Sequence, residues 1–160
     1  MPCAGKTSLC ESLKTSGFNN QIRTDEVRGK HFLYPTYSEN ESNQVFYFLL
    51  KELQEMVNKN LDDIIVEGVF ATGQRILTIK KIALIKSYEV LCIFLQAPLD
   101  TLLVRNSERI ETDKFLKPER YGMFLKRYNS SHLSNLTINT DENTKGETTI
   151  LTKDFLQYGR

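Results

Sequence analysis

The triplet Gly5-Lys6-Thr7 is the second half of a phosphate-loop pattern, G-x-x-x-x-G-K-[ST], with Met1 through Ala4 in the four variable positions. Backbone amides of such a loop and of the helix it opens can wrap a phosphate, and glycine permits the close approach. Pro2, Cys3, Ala4, Gly5, Lys6, Thr7 and Ser8 are therefore the candidate phosphate-binding residues. Lys6 offers a point charge to the terminal phosphates, and the Thr7 hydroxyl is a ligand for Mg²⁺. A second group is Asp25 and Arg28, three apart at the end of an extended stretch. The aspartate can accept a proton from an attacking hydroxyl, and the arginine can fork onto an acceptor phosphate. Glu67 closes the apolar run "IIVE", where a carboxylate can hold Mg²⁺ through water or orient an acceptor. Arg105 and Arg109 are four apart, so a helix would carry them on one face, able to neutralise charge on a transferred phosphoryl group.

The elements that must position these residues alternate in type. "TSLCESLKTSG" predicts a helix closed by Gly17, "NQIRTDEVRGK" a short extended stretch ending at Thr24-Asp25, and "ESNQVFYFLLKELQEMVNKN" a long helix with apolar residues at helical spacing. "DDIIVEGVF" and "EVLCIFLQAP" are β-branched apolar runs of the kind found in strands buried on both faces, and "GQRILTIKKIALIKS" between them is helical. "LDTLLVRNSERI" and "PERYGMFLKRYNSS" predict two more helices around the charged patch "ETDKFLK", followed by a strand, "LTINTDE", and a helix, "LTKDFLQYG". Strands alternating with helices predict an α/β fold with a parallel sheet and helices on both faces. Residues 1–160 suit one domain, with a lid over about 105–130. Arg75 reads equally well as a surface charge or a site residue.

Composition narrows the partners. Twenty-one Lys and Arg against 20 Asp and Glu give a net charge of +1, so no global field recruits a long nucleic-acid track. Three cysteines without C-x-x-C pairing fit a reducing, cytoplasmic setting. No apolar run reaches the roughly 18 residues that span a bilayer. No obligate protein partner is evident; the expected partner is a hydroxyl-bearing substrate, either a nucleic-acid end or a small molecule.

Gly5-Lys6-Thr7, Asp25-x-x-Arg28, "IIVEG" and "LVRNSER" together resemble the P-loop kinases grouped with polynucleotide kinase, zeta-toxin and AAA-type predicted kinases. The likeness runs almost from end to end, and "RNSER" is similar to the R-N-x-x-R of the 5′-polynucleotide kinase domain. It implies ATP and Mg²⁺ as cofactors, Lys6 and Thr7 on nucleotide phosphates and metal, Asp25 as general base, Arg28 on the acceptor and Arg105 and Arg109 on the lid side of the ATP site. Two departures stand out. The first loop glycine would precede Met1, as would the strand that feeds the loop. That pattern predicts an upstream strand ending in glycine, with an interrupted gene, or another segment or chain filling the slot, as alternatives. The other is Glu67, where polynucleotide kinases more often carry aspartate; "EG" also suits kinases of small hydroxylated molecules. The residues leave three readings open: a phosphotransferase, a nucleotide-binding switch or ATPase module, and an inactive truncated remnant.

Overall fold

A computed structural model of the chain describes residues 2–70, 72–109 and 133–158. The lid expected over about 105–130, its helix and the "ETDKFLK" patch lie outside the described residues beyond Arg109. In chain order the elements are α1 (Lys6–Lys14), β1 (Asn20–Arg23), α2 (Thr24–His31), α3 (Glu39–Asn58), β2 (Ile64–Glu67), α4 (Gly73–Leu84), β3 (Ile93–Gln96), α5 (Leu99–Ser107), β4 (Leu136–Asn139) and α6 (Lys145–Tyr158). The fold is α/β with parallel strands. β1 pairs with β2, placing Arg23 opposite Glu67, and β3 pairs with β4, placing Gln96 opposite Asn139. The expected parallel ladder is thus divided into two two-stranded sheets.

The described residues cluster into two compact units. One draws on Met1–Leu9, Phe70–Ile76 and Leu91–Arg160, the other on Cys10–Val69 and Leu77–Val90. In the second unit α3 lays Val45, Leu49, Leu53 and Val57 along one face, all but sealed from solvent. Their four-residue spacing gives a helix one buried stripe, and each such side chain contributes about 1.5–3 kcal/mol. Ile22 of β1 and Val27 of α2 are equally closed off. In the first unit Leu95 and Ile138, register partners across β3 and β4, are buried, as is Leu102 of α5.

Local chemistry sets the ends of the helices. After α1, Gly17 takes φ +102°, Phe18 N–H donates to Leu13 O and Gly17 N–H to Lys14 O, which closes the last turn in the expected way. The Ser38 hydroxyl accepts from Glu41 N–H at 3.2 Å and caps α3. Strand burial departs from expectation. Ile64, Ile65 and Val66 of β2 and Ile93 and Phe94 of β3 are only half-buried. Each strand is four residues long and pairs along one edge among the described residues, which leaves its side chains partly in solvent. Among the described residues no helix is long and apolar enough to cross a membrane.

A buried ion pair ties α2 to α3. Arg28 Nε donates to Glu41 Oε1 at 2.8 Å, and both side chains are nearly closed to water. The other oxygen, Glu41 Oε2, accepts from the Thr36 hydroxyl at 2.7 Å and from the backbone amides of Thr36 and Tyr37. Burial pushes the Glu41 carboxyl up. The hydrogen bonds from Thr36 side chain and backbone, Arg28 and Tyr37 together outweigh it, and the group titrates below the ordinary carboxylate range.

Two outcomes are expected. Because Glu41 has a folded pKa below its unfolded value of 4.5, its contribution is complete above that value and drains away as pH falls through the folded one. Glu41→Gln should cost about 3 kcal/mol at pH 7 by leaving a buried guanidinium short of a carboxylate. Urea midpoints should therefore show a gap between the two proteins that narrows steadily below pH 4.5. Thr152 of α6 is fully buried, and its hydroxyl has no hydrogen-bond partner among the described residues. Thr152→Val, nearly the same shape, should raise stability by about 1–2 kcal/mol in the same assay.

Candidate functional site

The phosphate-loop residues sit in the first unit. Pro2, Cys3 and Ala4 are buried, and Gly5, Lys6, Thr7 and Ser8 are half-buried. Cys3 has φ +57° and Gly5 φ +83°, while Ala4 between them is not in the positive region and Lys6 begins α1. Backbone that alternates in hand in this way turns successive N–H groups toward one side, forming a concavity that favours anions. The left-handed conformation is free for Gly5 and costs Cys3 roughly 1–2 kcal/mol. Gly5 O accepts from Leu9 N–H at 3.0 Å and so starts the helix.

Arg105 lies in the same unit, and its guanidinium is directed at the protein's own oxygens. Nη2 donates to Thr140 O at 2.6 Å, Nη1 to the Thr140 hydroxyl at 2.9 Å, and Nη1 also reaches Cys3 O at 3.5 Å. The Thr140 hydroxyl donates to Gln96 O at 3.2 Å, which links the ends of β3 and β4. Neighbouring Asn106 is 3% exposed and its Oδ1 lies 4.0 Å from Cys3 Sγ. The shared helix face expected for Arg105 and Arg109 is not formed. α5 ends at Ser107, and Val104 O accepts both the Ser107 hydroxyl at 2.7 Å and Glu108 N–H at 3.2 Å. Arg109 follows in a turn, its N–H on Asn106 O at 3.0 Å. Arg75 stands in the first turn of α4, its N–H on Thr72 O at 3.2 Å.

The acidic residues sit in the second unit. Asp25 is in the first turn of α2, directly after β1, and is 62% exposed. Arg28 Nη1 donates to Asp25 Oδ1 at 3.1 Å, so the pair expected from the three-residue spacing does meet. Arg28 is also stacked over the Tyr37 ring at 4.4 Å and bonded to Glu41, which leaves only part of its donor fork for another group. Glu67, buried at the end of β2, has Arg23 Nε at 3.7 Å; Arg23 in turn donates to Glu26 at 3.1 Å. A carboxylate already facing a guanidinium suits an orienting role or metal binding through water better than direct ligation. Among the described residues no group of three or more His, Cys, Asp or Glu could hold a metal ion. An open cleft of about 550 Å³ lies where α3 and α4 end, on Asp62, Asp63, Lys86 and Tyr88, and contains none of the expected site residues.

Sequence reasoning missed Glu41, Arg23, Asn106 and Thr140. Glu41 had a local signal: Ser38-x-x-Glu41 is a capping-box pattern. Its carboxylate reaches the amides of Thr36 and Tyr37, so the box is extended into the preceding loop. Asn106 and Thr140 have partners far away in sequence, and Arg23, though it meets Glu26 three residues on, reaches Glu67 only through strand register.

No family model matches the chain, and neither does any curated protein. Solved structures do. A "putative kinase" from Chloroflexus aurantiacus J-10-fl is similar with a TM-score of 0.71 and 18% identity, over 99% of this chain and 93% of that one. The tunicamycin resistance protein of Deinococcus radiodurans is similar with a TM-score of 0.54 and 17% identity, over 87% of this chain and 81% of its own. At these identities the likeness is one of fold, and it establishes that the α/β arrangement described above is the one these two proteins share.

Proposed function

We propose that the chain is an ATP-dependent phosphotransferase of the P-loop kinase type, related to the polynucleotide kinase and zeta-toxin group, acting on a hydroxyl acceptor. The observation that carries this is the loop ahead of α1, with φ +57° at Cys3 and +83° at Gly5 and Lys6-Thr7 opening the helix. That conformation and the Gly5-Lys6-Thr7 sequence both support an anion cradle there. The kinase-type fold neighbour supports the same class.

The loop amides and Lys6 would bind the donor's β- and γ-phosphates. Asp25, held by Arg28, would take the proton of the acceptor hydroxyl as its oxygen attacks the γ-phosphorus and the bond to the β-phosphate oxygen breaks. The remaining donors of Arg28 would steady the acceptor, with Glu67 beside the Arg23 guanidinium in an orienting role. Arg109, in its turn after α5, is the arginine assigned to the transferred phosphoryl group. Thr7 would hold Mg²⁺, which when bound neutralises charge on the phosphates. A cation that keeps most of its waters fits a site that has no three-carboxylate cluster among the described residues.

The test is transfer of labelled γ-phosphate from ATP to a 5′-hydroxyl oligonucleotide and to a pool of small hydroxylated molecules. Label on the oligonucleotide supports the polynucleotide kinase relationship, and label on a small molecule moves the acceptor to that class. ATP bound without transfer to any acceptor would favour the switch module. Lys6→Ala should weaken ATP binding about tenfold or more, because a charge-assisted phosphate contact is lost. Asp25→Asn should lower turnover about 10²–10⁴-fold with ATP affinity close to wild type. An equal loss of ATP affinity in that variant would contradict its role as base.

A further inference from the structure

Arg105 and Asn106 stand in the segment "LVRNSER", whose resemblance to P-loop kinases implies a place for Arg105 on the lid side of an ATP site. Their side chains are occupied differently. Two contacts run from this part of the first unit to the phosphate loop. Arg105 Nη1 reaches Cys3 O at 3.5 Å and Asn106 Oδ1 lies 4.0 Å from Cys3 Sγ, while a side chain added at Gly5 would meet the Thr140 methyl at 3.8 Å. Arg105 itself is anchored by the two short bonds to Thr140, whose N–H and hydroxyl are both held by Gln96 O at the end of β3. The loop residue so touched, Cys3, is the one non-glycine of the loop with positive φ among the described residues.

We propose that Arg105, seated on Thr140 and assisted by Asn106, is a positioning residue that fixes the phosphate loop in its anion-binding conformation. The physical reason lies in the peptide after Cys3. A carbonyl turned into an anion cradle repels the anion, and a left-handed cysteine can relax by rotating that peptide. A guanidinium on Cys3 O attracts the carbonyl to itself and holds the peptide in the orientation that leaves N–H groups for the ligand. Arg105 thereby acts on donor-phosphate binding through the loop, in place of acting on the phosphoryl group in flight. This inference rests on the phosphotransferase reading for its ligand, though not for its loop geometry.

ADP is the discriminating probe, because it lacks the phosphoryl group that is transferred. Arg105→Gln should weaken ADP binding about tenfold, the value of a lost charge-assisted bond. Thr140→Val removes one of the two anchors of Arg105 and leaves the bond to Thr140 O, so it should weaken ADP binding less, and the double variant should be little worse than Arg105→Gln alone, since Thr140 acts through Arg105. Amide hydrogen exchange at Gly5 and Lys6 should accelerate in both variants without any nucleotide present. Arg105→Lys, which keeps the charge, should recover part of the ADP affinity. Wild-type ADP affinity and loop exchange in Arg105→Gln, with only turnover reduced, would overturn the proposal. Should wild-type protein bind no ADP, the phosphotransferase reading fails; the exchange rates still decide this one, unchanged rates sinking it and faster rates upholding the loop-positioning role. Thr140→Val keeps the buried shape and methyl group, so it remains informative where a change at Arg105 lowers overall stability.

Discussion

The short bonds from Arg105 to the end of β4 are the constraint on which the loop conformation depends. A guanidinium carries five N–H groups and no acceptor, so a partly buried one must find oxygens within the fold. Thr140 supplies two of them, one from the backbone and one from the side chain. That geometry places the remaining edge of the same nitrogen within reach of Cys3 O. The loop has one costly left-handed residue in Cys3, and strain of that kind persists only where the surroundings over-determine it. Arg105 and Asn106 are those surroundings.

The second unit solves a similar problem with the signs reversed. There a carboxylate, Glu41, is the buried hub, and its donors are an arginine, a hydroxyl and two backbone amides. Because Glu41 neutralises one side of Arg28, the guanidinium can still face Asp25 and the Tyr37 ring without being spent entirely on either. The hydrogen bonds to Glu41 outweigh the cost of burying it, so its charge contributes to stability. The pair also contributes orientation: with Nε held by Glu41, Arg28 Nη1 meets Asp25.

Much of the fold was legible in sequence because its signals are local. The apolar stripe of α3, the glycine after α1 and the β-branched runs of β2 and β3 each depend on residues within a turn or two. The same was true of the Asp25–Arg28 contact, which follows from three-residue spacing once a helix begins at Thr24. The errors came where a distant residue decides. Periodicity alone would carry α5 on to Arg109, but Arg109 N–H turns to Asn106 O, three residues back, and the helix stops at Ser107. Arg105 carries every mark of a ligand-binding arginine, and nothing near it in sequence announces Thr140, 35 positions away. Glu67 shows the same limit, since its partner Arg23 is opposite it only through the register of β1 and β2.

Parallel pairing explains why these groups gather as they do within each unit. Strands that run the same way end on the same edge, and the loops that leave them carry the chemistry. In the second unit Arg23 and Glu67 are the last residues of β1 and β2, and Asp25 follows two positions later. In the first unit Gln96 ends β3, and Thr140 follows the last residue of β4. A carbonyl at the end of a strand has lost its ladder partner and must be answered by a side chain. Thr140 N–H and hydroxyl answer Gln96 O, and Arg105 answers Thr140 O. The residues that satisfy strand ends are thus already at the edge where a ligand would bind, which is how an arginine can be structural in its contacts and functional in its consequence.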